Sequence, residues 1–180
     1  MFSVIGFAFN SCLLFFDTMS AEQSLLKQLN ILRNSTTVIV GIGNILKGDD
    51  GAGPLVCQQL KQEKICADLI DAGTVPENYI QSIIKKAPQN LLVIDAIDFE
   101  AAPGTIKIFA PEQLSSHVIS THFLSPRVFV DMVCQNVIVD VYFIGIQPAQ
   151  MLLGQSVSPE VNLAIQWLSE VLTQIFTAEE

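Results

Sequence analysis

Two adjacent aspartates, Asp49 and Asp50, stand at the lip of a glycine-rich turn, GIGNILKGDDGAGP over residues 41–54. A third, Asp95, closes the apolar run LLVID, and a histidine, His122, sits in ISTHFL. Two carboxylates and a neutral imidazole make an O/N donor set suited to a borderline divalent metal. Three protein ligands leave coordination positions open for water or for donors from a second molecule. Spacing alone does not make these groups converge, and each has an ordinary structural use. One of the Asp49–Asp50 pair is expected to cap the helix that follows. Asp95 could bond loop amides at a strand end, and Asp98 reads as a solvated turn residue. His122 taken alone serves as readily in structure as in ligation, and His117 is an ordinary loop histidine.

The glycines also invite a phosphate-binding reading, which their spacing weakens. A dinucleotide fingerprint needs G-x-G-x-x-G; after Gly41 and Gly43 the third glycine position holds Leu46. A Walker motif needs G-K-[ST], whereas Lys47 precedes Gly48. Asp49 and Asp50 would repel a pyrophosphate at the following helix N-terminus. Asp71 ends the second strand as a ribose-binding acid would, so a nucleotide-binding α/β protein stays open as an alternative.

The elements that must position these residues alternate. TTVIVGIG (36–43), KICADLIDAG (64–73), QNLLVIDAIDF (89–99), GTIKIFA (104–110) and VIVDVYFIGIQP (137–148) read as strands. The third is the most apolar and is expected to be central. GAGPLVCQQLKQ (51–62), PENYIQSIIKKA (76–87), SPRVFVDMVCQ (125–135) and SPEVNLAIQWLSEVLTQIF (158–176) read as helices, the last opened by a Ser158-Pro159-Glu160 cap signal. This order predicts a three-layer α/β sandwich, a twisted, mostly parallel sheet of about five strands with helices on both faces. Such sheets bind ligands beyond the carboxyl ends of their strands. GDD, DAGT, DAID and GIQP all follow such ends, so acidic groups and an imidazole can meet on one rim.

Composition excludes some classes. The formal charge is −9 with only nine Lys plus Arg, which argues against an extended phosphate-contacting surface and hence against nucleic acid. Cys12, Cys57, Cys66 and Cys134 form no CxxC pair; they read as small buried apolar thiols. The first sixteen residues, MFSVIGFAFNSCLLFF, are apolar but contain no Lys or Arg, and no clear small-residue cleavage site follows. The uncharged run ends at Asp17, short of the ~20 residues of a spanning helix. Met19 opens a more ordinary beginning. Residues 1–18 therefore read as an upstream start-site extension or disordered segment, with a weak membrane or signal segment as the alternative. Residues 19–180 read as one domain of a cytoplasmic protein with no stable membrane association.

The ordered set VIVGIGNILKGDDGAGP, DAGTVPEN, LLVIDAIDFEAAPG, ISTHFL and IGIQP…SP resembles the hydrogenase maturation proteases, over roughly residues 36–170. The GDDGAGP, VPEN and GIQP forms resemble most the branch acting on hydrogenase-3-type enzymes. The resemblance implies an endopeptidase that removes a C-terminal extension from the precursor large subunit of a [NiFe] hydrogenase. It implies nickel carried by that precursor and not stably held by the protease, which is expected to be a monomer. It carries the metal-contacting positions onto Asp50, Asp95 and His122, with Asp50 and Asp95 also the catalytic candidates. Gly43, Asn44, Asp71, Gly73 and Thr74 fall on the substrate-binding or loop-shaping positions. Ala72 replaces a family glycine in DAGT. No Ser-His-Asp order, activated Cys-His pair or H-E-x-x-H is visible. Hydrolysis is then expected from a metal-bound water or a polarised carbonyl, or from Asp50 or Asp95 as a base in the manner of an aspartyl-type endopeptidase. A nickel-binding assembly chaperone that docks without cutting needs the same three ligands and is the competing reading.

Overall fold

A computed structural model describes residues 23–110, 113 and 126–177. The expected extension over 1–18, Cys12, His117 and His122 lie outside the described residues.

A helix over 23–29 (α1) precedes β1 (Thr37–Ile42). A 3-10 turn, Gly48–Gly51, leads into α2 (Ala52–Leu60). There follow β2 (Asp68–Gly73), a 3-10 turn (Pro76–Tyr79), α3 (Ile80–Lys86), β3 (Asn90–Ala96) and β4 (Ile106–Phe109). The chain closes with α4 (Pro126–Cys134), β5 (Asp140–Ile146) and α5 (Pro159–Phe176).

The five strands form one sheet in the order β2-β1-β3-β5-β4. All pairings are parallel except β4 with β5. β3 is central, as its apolar run predicts, and every residue of β1 and β3 is buried. That is the signature of parallel strands covered on both faces. Alternation sorts the strand side chains into two cores. Ile39, Leu92, Ile94, Ile144 and Ile146 face α1, α2 and α5. Val38, Val40, Leu91, Val93 and Phe143 face α3 and α4. The expected three-layer sandwich is therefore the observed one.

The helix ends follow their sequence signals. Ser158 caps α5 by accepting the Val161 N–H at 3.4 Å, with Pro159 at the first helical position. α3 stops at Ala87 in the left-handed region, φ 42°. The cysteines divide: Cys57 is buried, but Cys66 and Cys134 are exposed, against the expectation of buried thiols. Cys66 lies in the α2–β2 loop, where its N–H reaches Phe176 O at 2.7 Å, and Cys134 is the last residue of α4. Apolar neighbours in sequence did not place either side chain inward. No helix of the described residues is long and apolar enough to cross a membrane.

From β1 the chain moves to β2 on one side, then crosses to β3 on the other. The sheet's switch point thus lies between β1 and β3, where α/β sheets hold ligands.

Candidate functional site

Two glycines set the depth of this switch point. A Cβ on Gly53 would stand 2.3 Å from Ile94 O and 2.4 Å from Ile42 O. A Cβ on Gly41 would stand 2.4 Å from Gly53 O. Only glycine fits either position, so the first turn of α2 lies directly across β1 and β3. The Gly48–Gly51 turn that precedes it is drawn against β3, the strand that carries Asp95.

The loop between β1 and that turn closes around Asp50. Gly43, at φ +142°, has Asp50 O where a Cβ would be, 1.8 Å away. The Asn44 N–H donates to both Asp50 O and Asp50 Oδ2 at 3.1 Å. Asn44 Oδ1 in turn accepts the Leu46 N–H at 3.0 Å. The closed loop buries its carboxylate: Asp50 is 1% exposed. Asp95, at the end of the neighbouring strand, is also 1% exposed. The sequence sets Asp50 at the lip of a glycine-rich turn, and in the fold that lip is buried. The 3-10 turn tucks it inward because Gly43 and Gly51 allow backbone to pass where side chains would block.

Asp49 does not cap its own helix. The N-cap of α2 is Gly51 and no side chain bonds that end, so the expected capping aspartate is absent. Asp49, 0% exposed, reaches across the rim instead. Its carboxylate accepts the N–H groups of Ala149 (2.8 Å), Gln150 (3.0 Å) and Ser158 (2.6 Å) and the Ser158 hydroxyl (3.0 Å). Four donors satisfy a buried charge. They also stitch the β1 loop to the loop after β5 and to the start of α5. Two neighbouring acids in the sequence thus take different parts, one tying loops together and one closing its own loop through the Asn44 N–H in the turn packed on β3. A doubled aspartate exceeds the needs of one cap; that signal was legible, but not which residue did which work.

The remaining candidates surround this centre. The Gly43 N–H donates to Gly73 O at 2.9 Å, joining the ends of β1 and β2. Gly73 adopts φ +55°, and its N–H meets Asp71 Oδ1 at 3.3 Å. Asp71 and Thr74 are exposed at the rim. Asp98 is an exposed turn residue, as expected, but it is held. Its Oδ1 accepts from Gln147 Nε2 (3.0 Å) and from the Glu100 N–H (3.1 Å). The Gln147 amide first, then that N–H, keeps the Asp98 carboxyl below its ordinary value.

Sequence reasoning missed Gln147 itself. It is 6% exposed, and its Oε1 accepts the Phe99 and Ala101 N–H groups at 2.8 and 3.2 Å. It thereby fixes the loop after Asp95. A glutamine directly after an apolar strand, in GIQP, was the available signal, since a buried amide must be fully bonded.

Of the three expected metal contacts, Asp95 lies at the end of β3, Asp50 lies in the Gly48–Gly51 turn packed against that strand, and His122 lies outside the described residues. Among the described residues no group of three His, Cys, Asp or Glu is placed to hold a metal ion. Two carboxylates are a partial shell at most, and they are also able to accept a proton from an attacking water.

Comparisons with known proteins agree with this fold. The profile of a family described as hydrogenase maturation protease matches residues 54–175. The hydrogenase 3 maturation protease of Escherichia coli K12 is 36% identical over 121 residues, 63% of this chain and 73% of its own length. The crystal structure of a [NiFe] hydrogenase maturation protease from Thermococcus kodakarensis superposes with a TM-score of 0.75 at 28% identity, covering 82% of this chain and 97% of that one. The solution structure of an Escherichia coli endopeptidase, HycI, gives 0.71 at 30% identity, covering 77% and 90%. With its sandwich, its switch point and this matched span, the chain belongs to the hydrogenase maturation protease family, whose members are endopeptidases.

Proposed function

We propose that this endopeptidase removes the C-terminal extension of the nickel-loaded precursor large subunit of a [NiFe] hydrogenase in the cytoplasm, acting as a monomer. Nickel seated in the precursor is the recognition element, and Asp50, Asp95 and His122 are its contacts. The observation that carries this reading is two buried carboxylates, each 1% exposed, one at the end of β3 and one in the Gly48–Gly51 turn that packs against β3 at the switch point. Buried carboxylates so placed favour a cation, and a set this small favours one whose other donors come from a partner.

Two routes to hydrolysis fit these groups. Nickel can polarise the scissile carbonyl or activate a bound water. Alternatively, Asp50 or Asp95 takes the proton of the attacking water and returns it to the departing amine. In both, one water is consumed, the C–N bond breaks, and a carboxylate and an amine are formed.

The test is to incubate the full chain with nickel-loaded precursor and weigh the large subunit. A product shortened at its C-terminus supports the reading. Stable binding without any loss of mass refutes it in favour of the non-cutting assembly chaperone.

A further inference from the structure

Ten large apolar side chains are exposed among the described residues, and five of them share one end of the molecule: Ile45, Leu46, Val75, Leu152 and Leu153. These five lie on the loops beyond the carboxyl ends of β1, β2 and β5. Ile45, Leu46, Leu152 and Leu153 are between 62% and 73% exposed.

The backbone that carries these four is fixed. Leu46 O accepts the Gly154 N–H at 2.7 Å, and the Asp49 N–H donates to Gln150 O at 3.1 Å. The Asp49 carboxylate binds Ala149, Gln150 and Ser158 from below. Gly154 turns at φ +79°, and Gly48 packs so closely on Gln150 that a Cβ would lie 2.9 Å from its Nε2. A fully buried charge therefore holds together two turns whose tips present leucine and isoleucine to water. Apolar side chains grouped on a rigid support mark an interaction surface, and a fixed support lowers the ordering cost of binding.

The surroundings select the partner. Asp71, Asp98, Glu100 and Glu160 are exposed around the same rim, and the whole chain has eighteen acids against nine bases. An apolar segment flanked by cationic side chains complements such a surface. The surface is also connected to the site. Ile45 leads to the Asp49–Asp50 turn, and a Cβ on Gly51 would stand 2.9 Å from Ile45 Cα. A partner pressing on Ile45 bears on the turn that buries Asp50.

We propose that the Ile45–Leu46 and Leu152–Leu153 turns are the docking surface for the precursor large subunit, received through an apolar segment flanked by cationic residues. This rests on the proteolytic reading above and adds where the substrate is held.

The experiment measures affinity of the full chain for purified nickel-loaded precursor, with cleavage followed in parallel. Leu152→Ser/Leu153→Ser and Ile45→Ser/Leu46→Ser each weaken binding at least tenfold while melting within about 2 °C of the parent. Ile138→Ser is the control, because Ile138 is even more exposed but precedes β5 at the opposite end of the sheet; it leaves affinity unchanged. Binding weakens as salt is raised. Parent-like affinity in both double variants overturns the docking surface, while cleavage by the parent in the same samples keeps the proteolytic reading intact. Parent binding without cleavage does the reverse. Affinity indifferent to salt overturns the cationic flank. A parent that sediments as a dimer, and a Leu152→Ser/Leu153→Ser variant that does not, assigns the surface to a second copy of this chain and overturns the proposal.

Discussion

Asp49 Oδ1 accepts the backbone N–H of Ser158 at 2.6 Å, across 109 residues of chain. Ser158 is the N-cap of α5, so one buried carboxylate joins the loop after β1 to the start of the final helix. The bond keeps the Gly48–Gly51 turn seated, and Asp50 is part of that turn.

Asp49→Ala therefore costs stability. It leaves the Ala149, Gln150 and Ser158 amides without their acceptor in a buried place. The expected loss is on the order of 3 kcal/mol, since hydrogen bonds to a charge contribute roughly 1.5–3 kcal/mol each and do not add fully. In a domain of this size that lowers Tm by roughly 6–12 °C. Urea unfolding of the purified variant measures it, and a change below about 1 kcal/mol contradicts the clamp.

Asp50→Asn separates function from fold. The amide is nearly isosteric and keeps an acceptor for the Asn44 N–H, so melting shifts little, by about 1 kcal/mol or less. Asparagine supplies neither carboxylate charge for a cation nor a base, so precursor processing is abolished. His122→Ala is expected to abolish it too, by removing the imidazole donor. Normal processing by either soluble variant removes that residue from the site.

The glycines give a paired test of close approach against backbone strain. Gly53→Ala puts a Cβ 2.3 Å from Ile94 O, where two strands and a helix all have to move. Overpacking against backbone on this scale falls at the upper end of the usual cost, about 3 kcal/mol. Gly73→Ala meets nothing within 4 Å but keeps φ +55°, a strain of roughly 1–2 kcal/mol for an L side chain. Equal melting temperatures for the two variants contradict the packing of α2 on β1 and β3.

Much of this architecture was legible from the chain. LLVID announced the central strand because a strand buried on both faces needs no polar alternation. Ser158-Pro159-Glu160 announced α5 through side-chain and backbone rules that act within one turn. The candidate centre was legible as strand ends plus acids, since the sheet's topology collects its carboxyl ends on one side. What was not legible acts across the chain. Nothing near Asp49 in sequence reveals that its donors are residues 149, 150 and 158. The burial of Asp50 turns on how one loop closes on itself, Gly43 against Asp50 O and Gly51 against Ile45, which residue types alone do not report, and Cys66 and Cys134 face outward despite apolar neighbours.

The thiols provide a pH test. Burial first, then the Asp71 charge, pushes the Cys57 thiol from 9.0 up to about 12. In the unfolded chain that thiol ionises near its ordinary value, so between about pH 9 and 12 the folded state binds the extra proton. Its contribution to stability is complete below pH 9 and is lost as pH rises toward 12. Cys57→Ala should make the fall of Tm between pH 9 and 11 shallower. At pH 8, brief alkylation followed by peptide mapping should label Cys66 and Cys134 and spare Cys57. Rapid labelling of Cys57 in the native protein contradicts its burial between α2 and the sheet.

The metal is expected to reside in the precursor and not in the isolated chain. Two hard carboxylates and one imidazole offer an incomplete shell. Stronger, softer donors in the precursor would supply the rest, so tight binding arises only when both proteins meet. The isolated chain should then purify without stoichiometric metal, measured by elemental analysis. Exposing it to a strong chelator, then removing the chelator, should leave later activity unchanged. Metal-free precursor should remain uncut even at high enzyme concentration, and nickel added to the precursor should restore cleavage. The carboxylates are buried in the free chain, so nickel alone should bind it weakly and loaded precursor tightly. A firmly held metal in the purified chain, with activity lost when it is stripped, would reverse the assignment. The metal would then belong to the protease, and Asp50 and Asp95 would be ligands of its own hydrolytic centre.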